Sequence, residues 1–141
     1  MNRVVLDTNV IVAAFRSRRG ASNRLLRLVA DGAVIPLLTT ALFLEYEDVL
    51  TRAEHRLATG LGEIDVQRVL AALASAAEPV EVHFRWRPQL PDPADELVLE
   101  AAVNGQADAL ITHNIRDFAA AAKRFKLRVA TPGDYLEELI S

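Results

Sequence analysis

Asp7 closes the run VVLD near the start of the chain, behind Val4, Val5 and Leu6. A carboxylate at the end of an apolar, β-branched run is costly to bury, so it needs a partner or a chemical role. More acids follow at wide spacing: Glu45, Glu47 and Asp48 in LEYEDVL, Asp92, Asp95 and Glu96 in PDPADE, and Asp117 in THNIRDF. Carboxylates gathered in one crevice repel, and they either share a proton or bind a cation. The chain has no cysteine and no paired-histidine spacing, so the donors are oxygens, which suit Mg2+ or Mn2+. Such ions activate water and neutralise charge building on a phosphate in transit. Basic stretches nearby would hold the other phosphates of a nucleic acid.

That chemistry needs elements that bring distant acids together. Val4–Leu6 reads as a buried strand. Asp7-Thr8 is a break and a helix N-cap signal, although residues 9–15 are apolar enough to prolong the strand. A helix is expected over Asn23–Ala30, a second strand over Val34–Leu38, and a helix from Thr39-Thr40 to about Thr51. Ile64–Ala77 has helical spacing, and the alternation of Val80, Val82 and Phe84 predicts a strand over Val80–Phe84. After the proline-rich stretch RPQLPDPAD a helix starts near Asp95. Ala109–Thr112 reads as a strand, Ile115–Arg124 as a helix, Leu127–Ala130 as a last strand and Pro132–Ile140 as a terminal helix. Strands and helices that alternate in this way predict an α/β fold with a parallel sheet covered on both faces. Sites in such sheets gather beyond the carboxyl ends of the strands, which is where Asp7 and Thr112-His113-Asn114 fall.

Each residue also has a plainer reading. Asp95, and less readily Asp7, would serve as ordinary helix caps. Helical spacing puts Glu45 and Glu47 at opposite edges of an apolar stripe, so periodicity does not choose between them. His113 reads as solvent-facing or hydrogen-bonded. Trp86, between Arg85 and Arg87, either stacks a base or covers the core.

The 141 residues, 51% hydrophobic and 25% charged, predict one folded domain over residues 1–141. Lack of cysteine fits a reducing cytoplasm and excludes a disulfide framework. No apolar run approaches the roughly 20 residues of a membrane span, and Asp7 interrupts any secretory pattern. A net charge of −3 does not advertise nucleic-acid binding, yet 14 of the 16 basic residues are arginine. Five of them lie between Arg16 and Arg27, and a second basic cluster, KRFKLR, covers Lys123–Arg128. There is no glycine-rich phosphate loop and no Gly-x-Ser-x-Gly elbow.

Three stretches together resemble a known family: VVLDTNVIVAAF, LLTTALFLEYEDVL and LPDPADELVLEAAVNGQADALITHNIRDF. In order and spacing they are similar to the PIN domain, and most like the VapC-like toxin of bacterial toxin–antitoxin modules. The resemblance implies a three-layer α/β/α fold around a mainly parallel sheet of about four to five strands. It implies a Mg2+- or Mn2+-dependent endoribonuclease, a small antitoxin partner and a homodimer. The family's first acid falls on Asp7, supported by Thr8 and Asn9, and its second on Glu45. The third falls on Asp95, with Glu96 as the alternative and Asp92 as a loop acid. In the fourth position, where many members carry Asp, this chain has Asn114, which brings no charge. Asp117 stands one turn on, and Thr112 precedes the pair. The expected roles are metal binding by Asp7, Asp95 and Glu45, positioning of water or a second ion by Asn114 and Asp117, and hydrogen bonds from Thr8 and Asn9 that hold Asp7. Arg16, Arg18 and Arg19 are expected to contact RNA phosphates. A non-catalytic PIN-like binding module and a Mg2+-dependent hydrolase of small phosphate esters are the alternatives.

Overall fold

The computed structural model describes residues 2–85 and 89–140. Trp86 and Arg87 lie outside the described residues. Five short strands, β1 (Arg3–Leu6), β2 (Ile35–Leu38), β3 (Glu78–Pro79), β4 (Ala109–Ile111) and β5 (Val129–Ala130), form one parallel sheet in the order β3-β2-β1-β4-β5. Among the described residues eight helices cover it: α1 (Thr8–Arg16), α2 (Ala21–Ala30), α3 (Thr40–Thr51), α4 (Ala53–Thr59), α5 (Glu63–Ala76), α6 (Pro93–Asn104), α7 (Ile115–Phe125) and α8 (Pro132–Ile140). The result is the three-layer α/β/α arrangement expected. β1 and β4 are buried along nearly their whole length, as apolar central parallel strands must be.

The order of the strands locates the site. The chain moves outward from β1 to β2 and β3, then returns to place β4 on the other side of β1. The crevice at this reversal lies beyond the carboxyl ends of β1 and β4. Leu6 pairs with Ile111, so Asp7 and Thr112 leave their strands side by side. The Asp7 N–H donates to the Ile111 carbonyl at 2.9 Å and prolongs the ladder by one bond. At the opposite end of the sheet, Arg3 donates to Glu78 at 3.2 Å and to the Gly105 carbonyl at 2.9 Å.

Two elements differ from expectation. The third strand occupies Glu78–Pro79 and not residues 80–84. The Val80 N–H still reaches the Leu38 carbonyl at 3.0 Å, but the chain then leaves the sheet, and the N–H groups of His83 and Phe84 pair with Asn104 Oδ1, each at 2.9 Å. Alternation alone did not reveal that this edge segment is held by a side chain. The second difference is α4, which the sequence pattern did not predict. It buries none of its residues, so it carries no apolar stripe from which periodicity could announce it. The first helix does begin at Thr8, so residues 9–15 do not prolong β1.

Candidate active site

Asp7 is 6% exposed and takes the N-cap position of α1, yet its side chain makes no capping hydrogen bond. Its anchor is Thr112, which is fully buried and donates from Oγ1 to Asp7 Oδ2 at 2.7 Å. The same oxygen accepts the Asn114 N–H at 3.0 Å, so one hydroxyl ties the end of β1 to the turn after β4. Burial pushes the Asp7 carboxyl above its ordinary pKa. The Thr112 hydroxyl, the backbone N–H groups of Thr8 and Asn9, and the nearby His113 ring oppose that rise.

The remaining acids arrive on helices. Thr39 caps α3, its Oγ1 accepting from Leu42 at 3.0 Å. On that helix the buried Tyr46 hydroxyl donates to the Leu6 carbonyl and pins α3 against the end of β1. Glu45, one residue earlier, thereby borders the crevice, whereas Glu47 does not. Asp92 is not a plain loop acid but the N-cap of α6, its Oδ1 accepting from Ala94 at 2.9 Å. That cap frees Asp95, in the first turn, from capping duty. Glu96 is buried and has a structural role. Its carboxylate accepts the Leu90 N–H at 2.7 Å and also that of Gln89.

Asp7, Thr8, Asn9, Glu45, Asp92, Asp95 and Asn114 line one cavity of about 520 Å3, bordered also by Arg16, Arg52, His55 and His113. Crowding of negative charge shows in the acids. The Asp95 carboxyl is pushed up to about 6, first by burial and then by repulsion from Asp7, Asp92 and Asp117. Glu45 is raised by burial and by Asp48 and Asp92, against the pull of Arg52. Asp117 is exposed in the first turn of α7 and acts on Asp95 through its charge without bordering the cavity.

Thr8 and Asn9 act on Asp7 through their backbone N–H groups, while among the described residues Thr8 Oγ1 and Asn9 Oδ1 are buried with no hydrogen-bond partner. The arginine cluster is divided. Arg16 borders the acidic cavity, Arg18 borders a separate apolar cavity, and Arg19 is exposed and borders neither.

The donor types fit a hard divalent ion: carboxylates with raised pKa values beside an amide oxygen and a hydroxyl oxygen that lack partners. Among the described residues no three acidic or histidine side chains stand close enough to chelate an ion directly. Mg2+ keeps several of its waters in protein sites, so these side chains would hold it in part through water.

The PIN domain family profile matches residues 3–116, which is most of the chain and includes every cavity acid. The chain belongs to the PIN domain family. Its members are typically nucleases that use divalent metal ions. No curated protein and no solved structure gives a significant match. Asp117 lies one residue beyond the matched segment. Tyr46, Arg52 and His55 are site neighbours that sequence reasoning missed. The spacing of Asp48 and Arg52, four apart, was the one available signal for Arg52.

Proposed function

We propose that this chain is a Mg2+- or Mn2+-dependent endoribonuclease and the toxin of a type II toxin–antitoxin module. The observation that carries the reading is the convergence of Asp7, Glu45, Asp92 and Asp95 on one cavity at the sheet's reversal point, in a PIN domain chain. Asp7 and Asp95 would hold the ion directly or through water, with Glu45 binding it or orienting the attacking water. When bound, the ion lowers the pKa of water and offsets charge on the phosphodiester. Asn114 would position water or a second ion, and Asp117, outside the cavity lining, would add its charge from the next turn. Thr112, through its hydrogen bond to Asp7 Oδ2, would hold that carboxylate in place.

The toxin role and the partners rest on other features. An apolar cavity of about 490 Å3 lies between α1, α2 and α5 and is lined by residues such as Phe15, Leu26, Val29 and Leu73, with Arg18 and Arg27 beside them. A small antitoxin with an acidic amphipathic segment suits that surface. A homodimer accompanies this reading as the common state of such toxins. Asn114, neutral where many members are acidic, favours a second reading, a PIN-like module that binds without cleaving.

The deciding experiment incubates the purified protein with RNA and titrates Mg2+ or Mn2+ against a chelator. Cleavage should require the metal, and Asp7→Asn should reduce it at least about 100-fold while the circular dichroism spectrum is unchanged. Equal cleavage by the Asn variant overturns the assignment, and RNA binding without cleavage establishes the second reading. Growth arrest on expression, relieved by Asp7→Asn, tests the toxin role.

A further inference from the structure

Two arginines and two histidines border the acidic cavity, and they are not equivalent. Arg52 is paired with Asp48 at 2.7 Å. His113 Nε2 stands 3.0 Å from the hydroxyl of buried Ser22. Arg16 is different. It ends α1, is exposed, and among the described residues has no carboxylate within ion-pair distance. Its guanidinium reaches across to α4 instead, where Arg16 Nη2 meets His55 Nδ1 at 3.5 Å. A guanidinium cannot accept a hydrogen bond, so a hydrogen bond at this contact requires the tautomer with Nδ1 as acceptor and the ring proton on Nε2. That nitrogen is 3.6 Å from Glu54, which favours this tautomer.

An arginine beside a carboxylate-lined cavity ordinarily pairs with one of the acids. Here its contact among the described residues is an imidazole on a short helix that contributes nothing to the core. The arrangement leaves the planar donor fork of Arg16 available to an incoming anion. It also meets a need of the site. A polyanion approaching several carboxylates is repelled, and a fixed cation at the border compensates one of its phosphates.

We propose that Arg16, positioned by His55, binds a backbone phosphate of single-stranded RNA next to the bond cleaved in the acidic cavity. The inference rests on the nuclease reading for the placement of that bond, but the binding site itself does not require cleavage. It gives α4 a role as the carrier of His55. It also separates Arg16 from Arg18 and Arg19, which lie away from the acids.

The test measures fluorescence anisotropy of a labelled single-stranded RNA oligonucleotide of mixed sequence on the full chain carrying Asp7→Asn, over a series of KCl concentrations. Arg16→Ala should weaken binding about tenfold and flatten the dependence of log K on log salt by about 0.7, the value for one phosphate on a single strand. Arg16→Lys should keep the slope, and His55→Ala should weaken binding less than Arg16→Ala. Arg68→Ala, on the exposed face of α5, serves as the control and should change neither quantity. An Arg16→Ala slope equal to that of the parent, or a slope that Lys does not preserve, overturns the proposal. So does a parent that binds no RNA. Metal-dependent cleavage by the chain with Asp7 intact is scored separately. If it cleaves and the Arg16 slope is unchanged, only the phosphate site falls. If it binds through Arg16 without cleaving, the phosphate site stands and the nuclease assignment falls.

Discussion

Asp95 illustrates how the site's charge bears on stability. Its carboxyl titrates near 6 in the metal-free fold because burial and three neighbouring acids disfavour the anion. In the unfolded chain it titrates near about 4. Between these values the folded state keeps a proton that the unfolded state has released. Folding stability therefore falls as pH rises through that window, and the penalty is complete above about 6. Asp95→Asn should stabilise the metal-free protein above pH 6 by on the order of 1 kcal/mol, after solvent screening of this partly exposed group. Near pH 4 the gain should vanish. Urea unfolding of both proteins at the two pH values, in chelator, measures it. Metal competes with the same proton, so apparent ion affinity should decline below pH about 6.

At the scale of elements, the site depends on how helices lock onto the sheet. Tyr46 reaches from α3 to the Leu6 carbonyl, one residue before Asp7. The residue is buried, and its pKa is raised by that burial and by the Asp7 charge. Tyr46→Phe should cost about 1–2 kcal/mol in urea unfolding, because a buried carbonyl loses a donor. The far end of α6 is equally constrained. A Cβ on Gly105 would lie 2.8 Å from the Ala101 carbonyl oxygen, 2.9 Å from Val80 Cγ2 and 3.0 Å from Leu37 Cδ1. The backbone carbonyl cannot yield as a side-chain tip can. Gly105→Ala should therefore destabilise by about 1–3 kcal/mol in the same assay, through overpacking and not through backbone strain.

For the molecule as a whole, the cavity gathers carboxylates whose mutual repulsion a bound cation would relieve. Ion binding to the native state alone should raise stability by about 2.7 kcal/mol at about 100 times Kd. Thermal unfolding with Mg2+ or Mn2+ should report that rise, and Asp7→Asn should reduce it. No shift in the parent with either ion would count against the cation site. The sheet core beneath the cavity, built by Val4, Val5, Leu6, Leu110 and Ile111, is fully buried, so the metal-free protein should stay folded in chelator.

Apolar strands and helical periodicity are local signals, so the alternation of elements and the parallel sheet were legible along the chain, and the order of its motifs pointed to the family. The sequence also marked Asp7, Glu45, Asp95, Asn114 and Thr112 as prospective neighbours. Tertiary structure decided what local pattern cannot encode. Thr112 anchors Asp7 because the register of β1 and β4 sets them side by side, across 105 positions of chain. Glu96 is committed to the Gln89 and Leu90 N–H groups because of how the chain enters α6. The helix carrying His55 has no apolar stripe to betray it, so only its packing against α1 and α3 brings that ring to Arg16. Burial and periodicity are written along the chain, whereas pairing between distant polar groups exists only once the chain has folded.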